Sequence, residues 1–263
     1  MPITTTGDVI QDRPLAEVGG KALWTKELDR ALLDRETDLS VHSMKDVETI
    51  RPAELPIAAM LPRAEVWDRL IGAESVAALA WRARVGTSSP RRAAQLLHRR
   101  SDLEIVTIRG NVQTRLAKLK AGEADATLLA AAGLRRLGLE VGTLIPDMLP
   151  APAQGAVGIE VRAGEDEVGE LVGAIDDSET HVCISAERRL LEALGGTCRS
   201  PVAALAQMDE GSIFLRAEIL TGDGGECRRG AARFHPHDIG APAELARRLL
   251  DEASPELRAL FAG

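Results

Sequence analysis

The chain has 263 residues, of which 45% are hydrophobic and 27% charged, a composition typical of a globular protein with a few domains. Its 32 Lys and Arg residues against 40 Asp and Glu residues give a formal net charge of −8, so the overall charge does not favour a nucleic acid or an anionic membrane as partner. Aromatic residues make up only 2%, with no Tyr, which argues against platforms that stack bases. An anion-binding site must therefore be built from local basic residues.

The cysteine content indicates a reducing compartment. Cys183, Cys198 and Cys227 are an odd number of thiols at unrelated spacings, which predicts neither a disulfide framework nor a metal site. No apolar run approaches the roughly 20 residues of a membrane-spanning helix, and the amino terminus lacks the pattern of a secretion signal. We expect a cytoplasmic protein with no metal and no membrane partner.

The first 61 residues carry the first candidate site. Lys21 lies at the start of a helix whose apolar stripe runs from Trp24 to Leu32. The stretch Leu39–Val47 reads as a short strand, and polar groups cluster at its end: Ser43, Lys45 and Asp46. Because ligands bind beyond the carboxyl ends of strands in open α/β sheets, Asp46 is the candidate for chemistry. The structural alternative is a loop ion pair made by Lys45, with Asp46 capping the next turn.

From about Val66 to Leu149 the β-α-β-α-β-α pattern predicts a parallel, doubly wound sheet. Its successive turns and helix starts carry polar or cationic groups, namely Thr87, Ser88, Ser89, Arg91 and Arg92, then Arg109, Asn111 and Arg115, then Arg136. Ser89 is a natural helix N-cap and Pro90 a natural first helical residue. Arginines at this positive helix end need an anion, a partner acid or solvent. Since such turns converge on one side of a parallel sheet, we infer a ligand with several carboxylates or phosphates.

Three prolines, Pro146, Pro150 and Pro152, then mark a linker. Residues 154–161 beyond them read as a buried strand that begins with Gln154. Its economical placement is back in the first sheet, so that the chain crosses twice between two domains. This arrangement predicts a cleft and a hinge.

The last third of the chain predicts a small antiparallel α+β domain. A helix from about Ser178 ends at Gly195-Gly196, and strands and a final helix follow. Cys198 comes directly after the double glycine on an accessible turn, where its thiol is either functional or an ordinary loop cysteine. Cys183 lies in a helical stripe and Cys227 in a strand, and we expect both to be structural.

Six motifs in this order resemble those of the porphobilinogen deaminase family, also called hydroxymethylbilane synthases, over nearly the whole chain. They are Val18-Gly19-Gly20-Lys21, Val41-His42-Ser43-Met44-Lys45-Asp46-Val47, Gly86-Thr87-Ser88-Ser89-Pro90-Arg91-Arg92, Arg109-Gly110-Asn111-Val112, Gln154-Gly155-Ala156-Val157-Gly158-Ile159-Glu160 and Gly196-Thr197-Cys198-Arg199-Ser200-Pro201. The resemblance implies an α/β fold of two periplasmic-binding-protein-like doubly wound domains with a hinge, plus a small C-terminal α+β domain. The implied bounds are 1–61 with 153–175, 62–152 and 176–263.

The resemblance also implies a chemistry. A dipyrromethane cofactor, made from the substrate porphobilinogen, would be held by a thioether to Cys198, and Asp46 would be the catalytic carboxylate. Cofactor and substrate would be bound by Lys21, Ser43, Lys45, Thr87, Ser88, Ser89, Arg91, Arg92, Arg109, Asn111, Arg115, Arg136 and Gln154. The family condenses four porphobilinogen molecules head to tail with loss of ammonia and releases the linear tetrapyrrole by hydrolysis; a monomer is expected.

Two alternatives stay open at this point. Two hinged α/β domains with arginines at the switch point would also suit a non-catalytic anion-binding module or an inactive truncated relative. Cys198 discriminates, because a sensor has no use for a covalent pyrrole. The family normally begins with a further strand and helix, which have no equivalent before Met1, so we expect a misassigned start or a trimmed chain rather than a working short form. Trp24, Glu17 and Glu48 replace the family's usual Phe, basic residue and Pro, which bears on rates.

Overall fold

The computed structural model describes residues 23–261; Lys21 and its glycine motif lie outside them. The first sheet contains β1 (Leu39–Ser43), β2 (Ile57–Met60) and β8 (Val157–Val161), with helix α1 (Leu23–Leu33) before β1. Strand β8 lies between β1 and β2 and is antiparallel to both. The late strand thus returns to the first sheet, and two connections join this sheet to the next. Helix α5 (Asp166–Gly173) follows β8.

The second sheet has five strands in the order β5-β4-β6-β3-β7. Its elements in chain order are β3 (Asp68–Ile71), β4 (Arg84–Gly86), α2 (Pro90–Arg99), β5 (Glu104–Val106), α3 (Val112–Lys120), β6 (Ala126–Ala130), α4 (Ala131–Arg136) and β7 (Thr143–Ile145). Strand β4 is parallel to β5 and β6, as the sequence predicts, whereas β3 is antiparallel to β6 and β7. The prediction of a wholly parallel sheet is therefore wrong. Residues 72–83 contain no helix, so the chain reverses there instead of making a helical crossover.

The third part is the expected small α+β unit. Helix α6 (Ser178–Ala193) precedes strands β9 (Val202–Asp209), β10 (Ser212–Leu220) and β11 (Cys227–Phe234), and helices α7 (Ala241–Asp251) and α8 (Pro255–Ala259) end it. The three strands form an antiparallel sheet in the order β11-β10-β9. Leu190 of α6 and Leu245 and Leu249 of α7 are buried in one apolar cluster with this sheet. The α/β fold class with a C-terminal α+β unit is thus confirmed. None of the helices within residues 23–261 is long and apolar enough to cross a bilayer.

A buried carboxylate fastens the start of helix α2 to strand β3. Asp68 is 1% exposed; its Oδ1 accepts from Arg92 Nη2 at 2.6 Å, and its Oδ2 lies 2.8 Å from Arg91 Nη1. Of the three ways to compensate two arginines at a helix N-terminus, a partner acid is thus the one that the structure shows. Burial alone would raise the pKa of Asp68, but the guanidinium groups of Arg91 and Arg92 outweigh it and hold that pKa well below its usual range.

Gln154 completes this network from the second connection between the sheets. Its Nε2 donates to Asp68 Oδ1 at 2.9 Å and to the carbonyl of Val66 at 2.7 Å. The side chain is 1% exposed, and its Oε1 accepts from Arg91 Nη2 at 3.5 Å. Asp68, Arg91, Arg92 and Gln154 therefore form one buried polar network, which we call the Asp68 network.

The close packing of Gly158 supports the turn that follows β1. A Cβ at Gly158 would overlap the sulfur of Met44, and Met44 lies in the turn that carries Lys45 and Asp46. We expect Gly158→Ala to displace Met44 and to lower the free energy of unfolding by about 1–3 kcal/mol. Urea denaturation measures this. Gly169→Ala is the control, because Gly169 is helical and a Cβ there meets nothing within 4 Å; equal stability of the two variants would contradict the packing argument.

The Asp68 network predicts a loss of stability in acid. Because the carboxyl group is more acidic in the folded chain than in the unfolded one, its contribution is present above the unfolded pKa of about 4 and is lost as the pH falls below it. Asp68→Asn should lower the free energy of unfolding at pH 7 by about 3–5 kcal/mol, since two buried guanidinium groups lose their counter-charge. It should also flatten the dependence of stability on pH below 4.

The matched control for Asp68→Asn is Asp34→Asn. Asp34 makes an exposed ion pair with Arg30 at 3.3 Å, whose loss costs about 0–1 kcal/mol. Denaturant titrations between pH 3 and pH 7 compare the two variants with the unchanged protein. A cost for Asp68→Asn no larger than that for Asp34→Asn would show that the network does not stabilise the fold.

Candidate active site

The catalytic candidate Asp46 lies in a single 3₁₀ turn, Met44–Asp46, directly after β1. The burial pattern of β1 alternates, with Ser40 and His42 buried and Ser43 exposed at its end. Met44 is buried beneath the turn, Lys45 is half-buried, and Asp46 is exposed. The alternation of the strand therefore continues into a turn that anchors one side chain in the core and presents the next two at the surface of the cleft.

Helix α2 begins at the N-cap predicted from the sequence. Ser89 Oγ accepts from the backbone N–H of Arg92 at 3.4 Å, and Pro90 is the first helical residue. Thr87 is buried, and its Oγ1 accepts from the N–H of Ser89 at 3.1 Å; Ser88 is half-buried between them. These short side chains fix the loop, while the guanidinium groups of Arg91 and Arg92, which follow Pro90, bind Asp68.

Cationic side chains of the second sheet reach the same region as Asp46. Burial lowers the pKa of Lys45, and the charges of Arg91 and Arg92 add to this while the Asp46 carboxylate opposes it. Burial likewise lowers the pKa of Arg115, with Arg92 and Arg109 adding to it and Asp46 again opposing it. One exposed carboxylate therefore shares its surroundings with several cations, which favours the binding of further anions.

Arg115 is held by the turn before its own helix. Its Nε donates to the carbonyl of Gly110 at 2.8 Å. Asn111 is the N-cap of α3 and accepts from the N–H of Thr114 at 2.9 Å, and Arg109 is half-buried beside it. Asn111 thus has a capping role in this structure, and the turn leaves the remaining guanidinium N–H groups of Arg115 available.

Cys198 lies at the exposed tip of a tight turn in the third unit. The N–H of Ser200 donates to the carbonyl of Thr197 at 2.9 Å, which closes the turn around the cysteine. Burial raises the pKa of the Cys198 thiol, and the negative charge of Asp46 raises it further. The carboxylate from the first sheet and the thiol from the third unit are therefore near enough for their charges to interact, although 152 positions separate them in the chain.

The structure does not gather every residue that the sequence singled out. Arg136 is exposed in the last turn of α4, and Lys21 is outside the described residues. Gln154 and Arg92 direct their polar groups into the Asp68 network rather than to the cleft. Sequence reasoning missed Asp68 itself. Its signal was available, because a single acidic residue opens a short strand in which Leu70 is fully buried.

The chain was compared with known proteins and families. The family model described as "Porphobilinogen deaminase, dipyromethane cofactor binding domain" matches residues 1–170, and that described as "Porphobilinogen deaminase, C-terminal domain" matches residues 181–253. A periplasmic sulfonate-binding protein of a putative sulfonate ABC transporter from Methylobacillus flagellatus, a solved structure, is 17% identical with a TM-score of 0.34, covering 66% of this chain and 53% of that one. This likeness is too distant to carry an argument.

Curated relatives are much closer in sequence. The porphobilinogen deaminase of Sphingopyxis alaskensis is 54% identical and is matched over 100% of this chain and 85% of that protein. Those of Nitrobacter hamburgensis and Moorella thermoacetica are each 47% identical, over 99% and 97% of this chain and 85% and 84% of theirs. The chain belongs to the porphobilinogen deaminase family.

Proposed function

We propose that the protein is a hydroxymethylbilane synthase. It joins four porphobilinogen molecules head to tail, with loss of ammonia, onto a dipyrromethane primer on Cys198 and releases the linear tetrapyrrole by hydrolysis. Membership of the family supports this activity. The single observation that carries it is that the Asp46 carboxylate lies within electrostatic reach of the Cys198 thiol, Lys45 and Arg115.

The residues of the cleft fit the cofactor named by the matched family domain. Acetate and propionate groups need guanidinium and ammonium partners, which Lys45, Arg109 and Arg115 supply. Arg91 Nε is buried and has no hydrogen-bond partner within residues 23–261, and for Arg91 a carboxylate contact is our proposal from the family motif. When bound, the dipyrromethane supplies the pyrrole carbon to which substrate units are joined.

We divide the binding residues by what their polar groups contact. Ser43, Ser88 and Arg109 have side chains that are exposed or half-buried at the cleft, and we propose direct contacts with carboxylates for them. Arg92 and Gln154 are occupied by Asp68, so we propose that they act by holding Arg91 in place. For Thr87, Ser89, Asn111, Arg136 and Lys21 a binding role remains our proposal from the family motifs.

Asp46 performs the chemical role in this proposal. Loss of ammonia from porphobilinogen leaves an electron-poor methylene-pyrrole cation, and a carboxylate beside its ring nitrogen stabilises that developing charge. The same carboxylate oxygens accept the proton released after coupling. Lys45 and Arg115 bind the substrate's carboxylates beside Asp46, which places the reacting pyrrole next to the catalytic group.

The remaining proposals concern the molecule as a whole. We propose the domain bounds 1–61 with 153–175, 62–152 and 176–263, which follow the three sheets. We also propose a cytoplasmic monomer with porphobilinogen as its substrate. We propose no nucleic-acid or membrane partner, because a net charge of −8 disfavours binding to an anionic surface. The competing anion-binding module is disfavoured because binding alone gives no role to a thiol near Asp46.

The direct test of the catalytic role is Asp46→Asn. We expect the variant to fold and to keep its cofactor site but to lose at least about 10²-fold in turnover, because a neutral amide stabilises the cationic intermediate poorly. Porphobilinogen consumption and hydroxymethylbilane release measure it, with Asp34→Asn, in the exposed turn after α1, as the control. Near-normal turnover by Asp46→Asn would rule out this role.

A second prediction concerns the reactivity of the Cys198 thiol in protein made without porphobilinogen. Its alkylation rate should rise about tenfold per pH unit below the raised pKa. Asp46→Asn should make Cys198 react about two- to threefold faster at pH 8, since removal of the negative charge lowers the thiol pKa. Iodoacetamide labelling with peptide mapping measures it.

Cys183 serves as the internal control in the same labelling experiment. Burial, with help from Glu187, raises the pKa of this thiol to about 11, and the residue is buried. It should stay unlabelled at pH 8 in both proteins. An unchanged or slower rate at Cys198 in Asp46→Asn would show that the Asp46 charge does not act on the thiol.

A further inference from the structure

One face of helix α6 contacts both the turn that carries Asp46 and the loop that carries Cys198. Ile184 is fully buried in an apolar cluster with Met44 and Val47, which flank Lys45 and Asp46. A side chain of the third unit thus forms part of the floor beneath the catalytic turn. Because a helical residue and those four and seven positions later share a face, Arg188 and Leu191 continue the same stripe.

Arg188 is hydrogen-bonded to the backbone of the segment that follows Asp46. Its Nη2 donates to the carbonyl of Glu48 at 2.5 Å and to the carbonyl of Thr49 at 3.0 Å. Thr49 Oγ1 in turn donates to the carbonyl of Gly196 at 3.0 Å, two residues before Cys198. Two side chains therefore join the backbone after the catalytic carboxylate to the helix and the loop that carry the thiol. We call these three hydrogen bonds the Arg188 clamp.

The end of α6 fixes where the Cys198 loop begins. The N–H of Gly196 donates to the carbonyl of Leu191 at 2.9 Å, and that of Gly195 to Glu192 at 2.8 Å, with Gly195 at φ +67°. This is a Schellman ending, which places the following residue in a defined direction. A Cβ at Gly196 would lie 2.6 Å from Leu191 Cδ1, so the loop also packs directly on the helix.

We propose that Arg188 is a positioning residue for the reaction: through the carbonyls of Glu48 and Thr49 it sets the distance between Asp46 and the Cys198 attachment point. This inference rests on the proposed function. In the proposed site, Arg109 and Arg115 of the second sheet bind substrate carboxylates from places that do not depend on α6, whereas Lys45 does so from the catalytic turn itself. Loosening the clamp therefore moves Asp46 relative to the growing pyrrole chain and leaves the contacts from the second sheet intact.

The predicted signature is a separation of kcat from KM. Arg188→Met keeps the aliphatic part of the side chain and removes both donors; we expect kcat to fall about 10- to 100-fold, the penalty for misplacing a catalytic group by about 1 Å, with KM within about twofold. Arg188→Lys should recover part of the loss, because an ammonium reaches one of the two carbonyls.

Arg189→Met is the matched control, since Arg189 is the exposed neighbour on the same helix, and it should behave like the unchanged protein.

The experiment measures steady-state kinetics with porphobilinogen, thermal unfolding and the intact mass of each holoprotein. Thr49→Val is the second variant, which decides the question if Arg188→Met does not fold or carries no cofactor. It removes only the hydrogen bond to Gly196, and we expect kcat to fall about fivefold with unchanged KM and only a small drop in unfolding temperature, since one hydrogen bond contributes about 0.5–1.5 kcal/mol. Mass spectra during turnover should show enzyme-bound oligopyrroles accumulating in both variants.

Two results would overturn the inference. The first is an unchanged kcat in Arg188→Met that is folded and carries its cofactor. If Arg188→Met cannot be assayed, an unchanged kcat in Thr49→Val has the same meaning. The second is a lower kcat together with a higher KM, both in proportion to the lost thermal stability and neither relieved by Arg188→Lys. A merely structural contact would behave in this way. If the unchanged protein and Arg189→Met also fail to consume porphobilinogen, the proposed function fails instead.

Discussion

The arrangement of the three units depends on one buried carboxylate. Glu187 of α6 is 0% exposed and is bonded to both connections between the first two sheets: it pairs with Arg63 at 2.7 Å and accepts from the N–H of Ala153 at 2.6 Å. It also accepts from the N–H of Ala206 in the third sheet at 2.7 Å. A buried charge is tolerated only when it is paired and hydrogen-bonded. The two connections and the third unit therefore meet at this carboxylate.

The cleft combines cations in excess with one exposed carboxylate. Asp68 neutralises Arg91 and Arg92 at the start of α2, so the free cationic groups are those of Lys45 and Arg115 rather than the arginine pair that the sequence makes most conspicuous. We propose that this local excess of cations binds polycarboxylates even though the chain is acidic overall. In the same proposal, Asp46, which is near these cations and the Cys198 thiol, stabilises the positive charge that develops on a bound pyrrole.

Local features of the fold and site could be predicted from the sequence, and long-range pairings could not. Strand β1, the Ser89 N-cap and the glycine ending of α6 follow from periodicity and capping preferences, which act within a few residues. The alternation of β1, however, predicts Leu39 and Val41 on its buried face, whereas the structure buries Ser40 and His42 and exposes those two apolar residues. The predicted parallel direction of β3 was wrong, because the periodicity of a strand does not show whether it pairs with its neighbours in parallel or antiparallel. The sequence indicated that Arg91 and Arg92 need an anion, a partner acid or solvent, but it did not identify Asp68 as that acid, since Asp68 is more than 20 positions away.

The most direct test of the central claim is the intact mass of the purified protein before and after one to four equivalents of porphobilinogen are added. The account predicts a mass excess of two linked pyrroles, mapped by peptide analysis to Cys198, and then a ladder of added pyrrole units that returns to the starting mass as the tetrapyrrole is released. A bare Cys198 with no ladder, in a protein that is folded and still binds the substrate, would contradict it and would favour a non-catalytic anion-binding module.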